Sequence, residues 1–354
     1  MSPQIQSPLI VPGALILVTA GNGLIASHIV DQLLHYGYHV RTTVRSESRS
    51  SWMNSLFAAR HPNSSFELVE VPDINAAGCY DAAVVGVSAV IHTAANTSMS
   101  SEDGDKIISD AVDANLIVLD AVKEANKRGG DIKRVVLTSS SWAVMYPRPN
   151  TEKQLMADTY DDYAASLLAD PALPKEYRGL MTYVESKKRA EQESWKWYQA
   201  QRQSCGFVLN AVIPSTCMGP VLDPEHQAYP STVGFVRSLY EGKNAQLFDW
   251  LEPQWYSDVR DAARLHVAGA VLEGVESERI FGYAEPYTWT GVAEVLEREM
   301  GSKVPIEVKD RGRDLTTTAM RDVSVGYLKR LGLEGWVKFE ESVKENIRSF
   351  YPKA

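Results

Sequence analysis

The stretch Ala14-Leu-Ile-Leu-Val-Thr-Ala-Gly-Asn-Gly-Leu-Ile-Ala26 decides the fold. Ala14 to Thr19 is a continuous apolar run, the pattern of a strand buried on both faces. Ala20-Gly21-Asn22-Gly23 turns the chain. A helix follows, with apolar residues at Leu24, Ile25, Ile29, Val30, Leu33 and Leu34, and Gly37 closes it. Tyr38 to Val44 reads as the second strand. Strand, Gly-rich turn, helix and strand form the first unit of a dinucleotide-binding fold. The turn lets phosphate approach the backbone, and the helix N-terminus offers unpaired N–H groups.

Working outward, the pattern repeats. Phe66 to Pro72, Ser88 to Ala95, Arg134 to Ser139 and Phe207 to Pro214 read as further strands, with a long helix over about Lys106 to Lys127. The expectation is an α/β protein: a Rossmann-type doubly wound parallel sheet with a smaller C-terminal substrate-binding lobe. Residues 1–12 are an N-terminal extension and 13–219 the dinucleotide-binding domain. Residues 220–354 are mainly the lobe, with about 254–284 returning to the core around a helix near Asp258 to Leu272. A tail strand is expected at Val304 to Val308. Ligands bind such sheets at the carboxyl ends of the strands, so Gly21, Asp73, Ala94, Ser140 and Pro214 should converge on one crevice.

Composition excludes several classes. The 354 residues carry a net charge of -9 with no basic cluster, which argues against a nucleic-acid binder. Cys79, Cys205 and Cys217 have no metal-type spacing, so no metal is expected, and they are too few for a disulfide scaffold. The first 13 residues lack a basic segment and are broken by Pro3, Pro8 and Pro12, unlike a signal peptide. No apolar run spans a membrane. The expected setting is cytoplasmic, with no membrane and no nucleic-acid partner.

Tyr183-Val-Glu-Ser-Lys187 carries the chemistry. Tyr and Lys four apart share one face of a helix. A free phenol has a pKa of about 10, and a neighbouring ammonium lowers it. Tyr183 becomes a proton donor to a carbonyl oxygen, or an acceptor from an alcohol. The plain alternative is an ordinary amphipathic helix face.

Together these residues resemble the extended short-chain dehydrogenase/reductase family, in particular fungal NADPH-dependent aldehyde and ketone reductases, with methylglyoxal and dihydroflavonol reductases nearby. The resemblance spans roughly residues 13 to 350. It rests on Thr19 to Ala26, Val40 to Ser46, Pro72-Asp73-Ile74, Leu137 to Ser140, Tyr183 to Lys187, Ile213 to Pro220 and Asp258 to Asp261. Two positions depart from the family pattern. Its first motif glycine is Ala20, with a glycine at 21, and Gly21 is expected to take the permissive backbone conformation. Its Asn in the helix after the fourth strand is Asp113.

The resemblance implies roles. Ser140 hydrogen-bonds the substrate carbonyl, Tyr183 donates the proton, and Lys187 binds the nicotinamide ribose and lowers the Tyr183 pKa. Thr19, Gly21, Gly23, Leu24, Ile25 and Ala94 adjoin the cofactor, Asp73 and Ile74 flank its adenine, and Pro214 and Thr216 lie along its nicotinamide. Arg45 matches the family's phosphate-binding arginine, and Arg49 reaches the same side if a helix begins near Ser46. No acidic residue stands there to select NAD, so the implied cofactor is NADPH/NADP+. Ser140 also reads as a helix cap, and Asp73 as an N-cap. His92 reads as a core residue, and Asp258, Arg260 and Asp261 as a structural ion-pair group. Asn96, Trp142, Gln254 and Trp255 are candidates for the pocket of a small-molecule carbonyl substrate. The expected assembly is a monomer or homodimer. Two other readings stand beside this one. One is an NAD-dependent hydroxysteroid dehydrogenase or sugar-nucleotide epimerase-like enzyme, and the other is a non-catalytic dinucleotide-sensing regulator.

Overall fold

The computed structural model describes residues 5–96 and 103–352; the first four residues of the N-terminal extension lie outside them. The chain runs through β1 (Leu15–Val18), α1 (Leu24–His35), β2 (His39–Val44), α2 (Glu47–Ser50), α3 (Trp52–Arg60), β3 (Phe66–Glu70), β4 (Ala89–His92), α4 (Gly104–Lys127) and β5 (Arg134–Thr138). Then α5 (Ser141–Val144), β6 (Glu152–Gln154) and α6 (Tyr163–Leu168) lead to α7 (Lys175–Gln201), β7 (Val208–Pro214) and β8 (Thr216–Met218). Next come α8 (Val233–Glu241), β9 (Gln254–Asp258), α9 (Val259–Val271), β10 (Arg279–Gly282) and β11 (Glu285–Tyr287). The chain closes with α10 (Trp289–Met300), β12 (Leu315–Thr317), α11 (Met320–Arg330) and α12 (Phe339–Phe350).

A seven-stranded parallel sheet forms the centre, in the order β10-β7-β5-β4-β1-β2-β3. Side chains alternate across it. Ile16 and Val18 pack with Ile29 and Leu33 of α1 and Leu265 and Ala268 of α9. Leu17 between them packs with Val118 and Val122 of α4. Burial on both faces explains the unbroken apolar runs. Strand order reverses between β1 and β4, and the crevice opens at that switch point.

The lobe is built on a three-stranded sheet, β11-β9-β8, and a third apolar core around Tyr256, Trp289 and Leu296. The N-terminal segment joins the core, with the Leu9 N–H donating to Val271 O at 2.8 Å and Ile10 buried. Asp258, Arg260 and Asp261 tie α9 to the tail. Arg260 Nε donates to Asp258 at 2.8 Å, Ser342 Oγ donates to Asp258 at 2.7 Å, and the Val337 N–H donates to Asp261 at 2.7 Å. One expected element is absent. Val304 to Val308 is irregular, because Pro305 has no N–H for a ladder, and β12 forms further on and pairs with β6.

Candidate active site

The turn after β1 departs from the expected conformation. Ala20, not Gly21, takes the left-handed backbone, at φ 52°. Gly21 is needed for a different reason: a Cβ there would meet Thr42 Oγ1 at 2.0 Å. The turn therefore lies flat against β2, with the Ala20 N–H donating to Thr43 Oγ1 at 3.2 Å and the Gly21 N–H to Thr43 O at 3.0 Å. Gly23 is the N-cap of α1 and no side chain caps it, so the first-turn amides at Leu24, Ile25 and Ala26 face the cleft.

That cleft has a volume of about 1040 Å³. It runs from α1 across the ends of β4 and β5 to α8. Ser140, Tyr183 and Lys187 line it together, as do Gly23, Leu24, Ile25, Arg45, Arg49, Ile74, Ala94, Pro214 and Thr216. α2 begins after Ser46, without a side-chain cap bond, and carries Arg49, which lines the cleft together with Arg45. Neither arginine has a hydrogen bond or ion pair among the described residues, so two free guanidiniums stand beside a turn of open amides. This arrangement fits a phosphorylated dinucleotide.

Other expected residues lie elsewhere. Thr19 is fully buried, and its hydroxyl accepts from the Thr93 and Ala94 N–H groups, each at 3.0 Å; it holds the end of β4 rather than facing the cleft. Asp73 is exposed and accepts from the Asn75 N–H at 2.9 Å, a local turn, while Ile74 beside it reaches the cleft. Asp113 lies exposed on α4, and Asn115 two residues on faces α7 instead, with Nδ2 3.1 Å from Ser194 Oγ. His92 is a buried core residue beside Thr19 Oγ1 at 3.0 Å.

Among the pocket candidates, Trp142 and Gln254 line the cleft, and Trp142 Nε1 donates to Gln254 Oε1 at 2.8 Å. Asn96 borders a small adjoining cavity with Lys187. Trp255 points away and donates Nε1 to Thr316 Oγ1 at 2.7 Å. Neighbours on a strand face opposite sides, so β9 can give the cleft only one of the pair.

The three central side chains come from two elements. Ser140 follows β5 and caps α5, its Oγ accepting from the Trp142 N–H at 3.2 Å. Tyr183 and Lys187 lie one turn apart on α7, with Nζ 5.9 Å from the Tyr183 ring centre. The Trp142 ring stands edge-on to Tyr183 at 5.9 Å. Burial pushes the Tyr183 phenol up to about 12, and the Ser140 hydroxyl draws it only partly back. Burial also pulls the Lys187 ammonium down to about 8. The expected lowering of the Tyr183 pKa is not seen here: burial raises the phenol, and the one group that draws it down is the Ser140 hydroxyl rather than Lys187.

Sequence reading missed the lobe wall. Phe235, Leu247, Trp250, Leu251 and Trp289 line the far end of the cleft, and Tyr229 to Thr232 its mouth. The density of aromatics between 229 and 250 was the available signal. Gln227 was missed too: it is buried and donates Nε2 to Asn22 O at 3.0 Å and Ser27 Oγ at 3.2 Å, joining the lobe to the turn.

Comparison with known proteins follows the same lines. The profile of the NAD dependent epimerase/dehydratase family matches residues 16–280. Aldehyde reductase 2 of Sporidiobolus salmonicolor is 33% identical over 353 residues, covering 98% of each chain. Ketoreductase adrE of Penicillium rubens is 33% identical over 352 residues, covering 97% of this chain and 98% of its own. Yeast methylglyoxal/isovaleraldehyde reductase Gre2, solved in complex with NADPH, shares the fold at a TM-score of 0.79 and 23% identity, over 96% of this chain and 100% of that one. No helix among the described residues is long and apolar enough to cross a membrane.

Proposed function

Because this chain belongs to the NAD dependent epimerase/dehydratase family of extended short-chain dehydrogenases/reductases, we propose that it is an NADPH-dependent reductase. It converts an aldehyde or ketone to an alcohol with Tyr183 as proton donor. The observation that carries this reading is the meeting of Ser140, Tyr183 and Lys187 in one cleft with the glycine-bearing turn and two arginines that have no partner among the described residues.

When bound, the reduced nicotinamide supplies the hydride. The open amides of Leu24 to Ala26 would hold the pyrophosphate, and Arg45 and Arg49 would hold the 2′-phosphate. Ile74 would flank the adenine, Lys187 would bond the ribose, and Pro214 and Thr216 would orient the nicotinamide. Ser140 donates to the carbonyl oxygen and polarises it. Tyr183, held near 12, is protonated at neutral pH and so stands in the donor form. It gives its proton to the same oxygen, and the Lys187 ammonium stabilises the phenolate left behind.

The charged residues lining the cleft are Arg45, Arg49 and Lys187, and none belongs to the lobe. The lobe wall of Phe235, Trp250 and Trp289 suits an uncharged carbonyl compound with an apolar or aromatic body. A sugar nucleotide would leave its diphosphate without a cation there, which counts against an epimerase. The complete Ser140, Tyr183 and Lys187 set counts against a non-catalytic sensor. The reductase and ketoreductase names of the relatives agree.

The test is NADPH oxidation with a panel of aldehydes, α-ketoesters and aryl ketones, for the parent and Tyr183→Phe. Turnover is expected in the parent, falling about 10²–10⁴-fold in the variant while cofactor binding persists. Near-normal turnover by Tyr183→Phe would remove Tyr183 from the role.

A further inference from the structure

Directly beneath the reacting groups lies a buried carboxylate that the reduction does not use. Glu191 sits on α7, four residues after Lys187 and eight after Tyr183, and is 2% exposed. Ser139, the residue before Ser140, donates Oγ to Glu191 Oε2 at 2.5 Å. Arg279, from the edge strand β10, clasps the same carboxylate with Nε at 2.6 Å and Nη2 at 3.2 Å. Tyr160 Oη at 3.2 Å and Trp195 Nε1 at 3.1 Å complete its hydrogen bonds. The third arginine nitrogen holds Ala157 O at 2.7 Å and Thr159 O at 2.9 Å, and the guanidinium lies 4.1 Å over the Tyr160 ring.

A buried ion pair is weak evidence of stabilisation, because desolvation offsets the attraction. Its place in the fold is the more telling feature. The end of β5 meets α7 at two points. Ser140 faces Tyr183, and Ser139 is bonded to Glu191 two turns further along the helix. One contact would leave α7 free to rotate or slide against the strand; two define its register. Glu191 cannot swing, because Arg279 grips both of its oxygens from the far side of β7.

We propose that Glu191, locked by Arg279, is a positioning residue that acts through Ser139 to set the geometry between Ser140 and Tyr183. This rests on the carbonyl-reductase reading above. Proton transfer and hydride transfer then depend on a tie at the edge of the cleft, made through a Ser139 hydroxyl already engaged by Glu191. Misplacement on the scale of 1 Å costs about 10²-fold in rate.

Ser139→Ala tests the tie while leaving the Arg279–Glu191 pair whole, and Ser139→Thr keeps the hydroxyl. Glu191→Gln is the second variant; it keeps the shape and removes the charge. Each is assayed with NADPH and the best carbonyl substrate, with NADPH affinity, melting temperature and the isotope effect from deuterated NADPH measured alongside. Ser139→Ala is expected to lower kcat about 10- to 100-fold, with NADPH affinity unchanged and a larger isotope effect as hydride transfer becomes limiting. Ser139→Thr should restore most of the rate. A merely structural role would lower the melting temperature and the active fraction, yet leave the isotope effect of the surviving enzyme unmoved; that result, or unchanged kcat in Ser139→Ala, overturns the inference. If the parent itself binds NADPH but reduces no carbonyl, the reductase reading fails and takes this one with it. A working parent matched by Ser139→Ala defeats the positioning role alone.

Discussion

Gly21 and Thr42 are in such close contact that a methyl group on Gly21 would lie 2.0 Å from Thr42 Oγ1. That hydroxyl is itself engaged, donating to Val18 O at 2.6 Å. The strained conformation falls one residue earlier, on Ala20 at φ 52°. Ala20→Gly should therefore stabilise the protein by up to about 1 kcal/mol and leave or improve cofactor affinity. Gly21→Ala should cost several times as much, on the order of 3 kcal/mol, through overpacking and loss of the Thr42 bond. Denaturant unfolding of both variants distinguishes the two roles. An unchanged Gly21→Ala would show that β2 yields easily.

Lys187 gives stability a pH dependence of definite sign. Burial lowers its pKa from 10.5 to about 8. Below about pH 8 it is charged both folded and unfolded, and the cost of burying that charge is fully present. Between about 8 and 10.5 the folded state releases the proton first, so this cost fades as pH rises. Without cofactor, Lys187→Met should be more stable than the parent by about 1–2 kcal/mol at pH 7, a figure reduced for the solvent reaching the cleft. The gain should shrink toward pH 10. Thermal melts at the two pH values measure it, and a gain that grows with pH would contradict the assignment.

Arg45 and Arg49 line the cleft and have no hydrogen-bond or ion-pair partner among the described residues, which suits a 2′-phosphate. Arg45→Ala should weaken NADPH by about 10- to 100-fold, the worth of a charge-assisted hydrogen bond, and barely change NADH. The double variant with Arg49→Ala should lose nearly all discrimination. Parallel titrations with both cofactors check this. Equal affinity of the parent for NADPH and NADH would return the NAD-dependent alternative to first place.

Trp142 and Gln254 close the cleft from opposite sides through one hydrogen bond of 2.8 Å. Gln254→Leu leaves the indole N–H unpaired at a cost of about 1–3 kcal/mol. It also frees the ring that stands against Tyr183. Substrate KM should rise about 10-fold, with cofactor KM unchanged. A rise confined to cofactor KM would place Gln254 at the dinucleotide instead.

The chain alone determined the layers, the crevice and the pairing of Tyr183 with Lys187. Parallel strands buried on both faces leave unbroken apolar runs, and their carboxyl ends mark where ligands gather, so of the five residues expected at one crevice Ala94, Ser140 and Pro214 line it, while Gly21 and Asp73 do not. Tyr183 and Lys187 were legible because a four-residue spacing has one outcome on a helix. These are short-range rules. What tertiary structure decided depends on segments far apart in the chain. Thr42 presses on Gly21 and leaves Ala20 to bend. β9 turns Gln254 toward the cleft and Trp255 away from it. Burial raises the Tyr183 phenol against the pull of the Ser140 hydroxyl. Arg279 finds Glu191 across 88 residues of sequence. Local geometry is written in spacing, whereas dielectric environment and steric contact exist only once distant residues have packed.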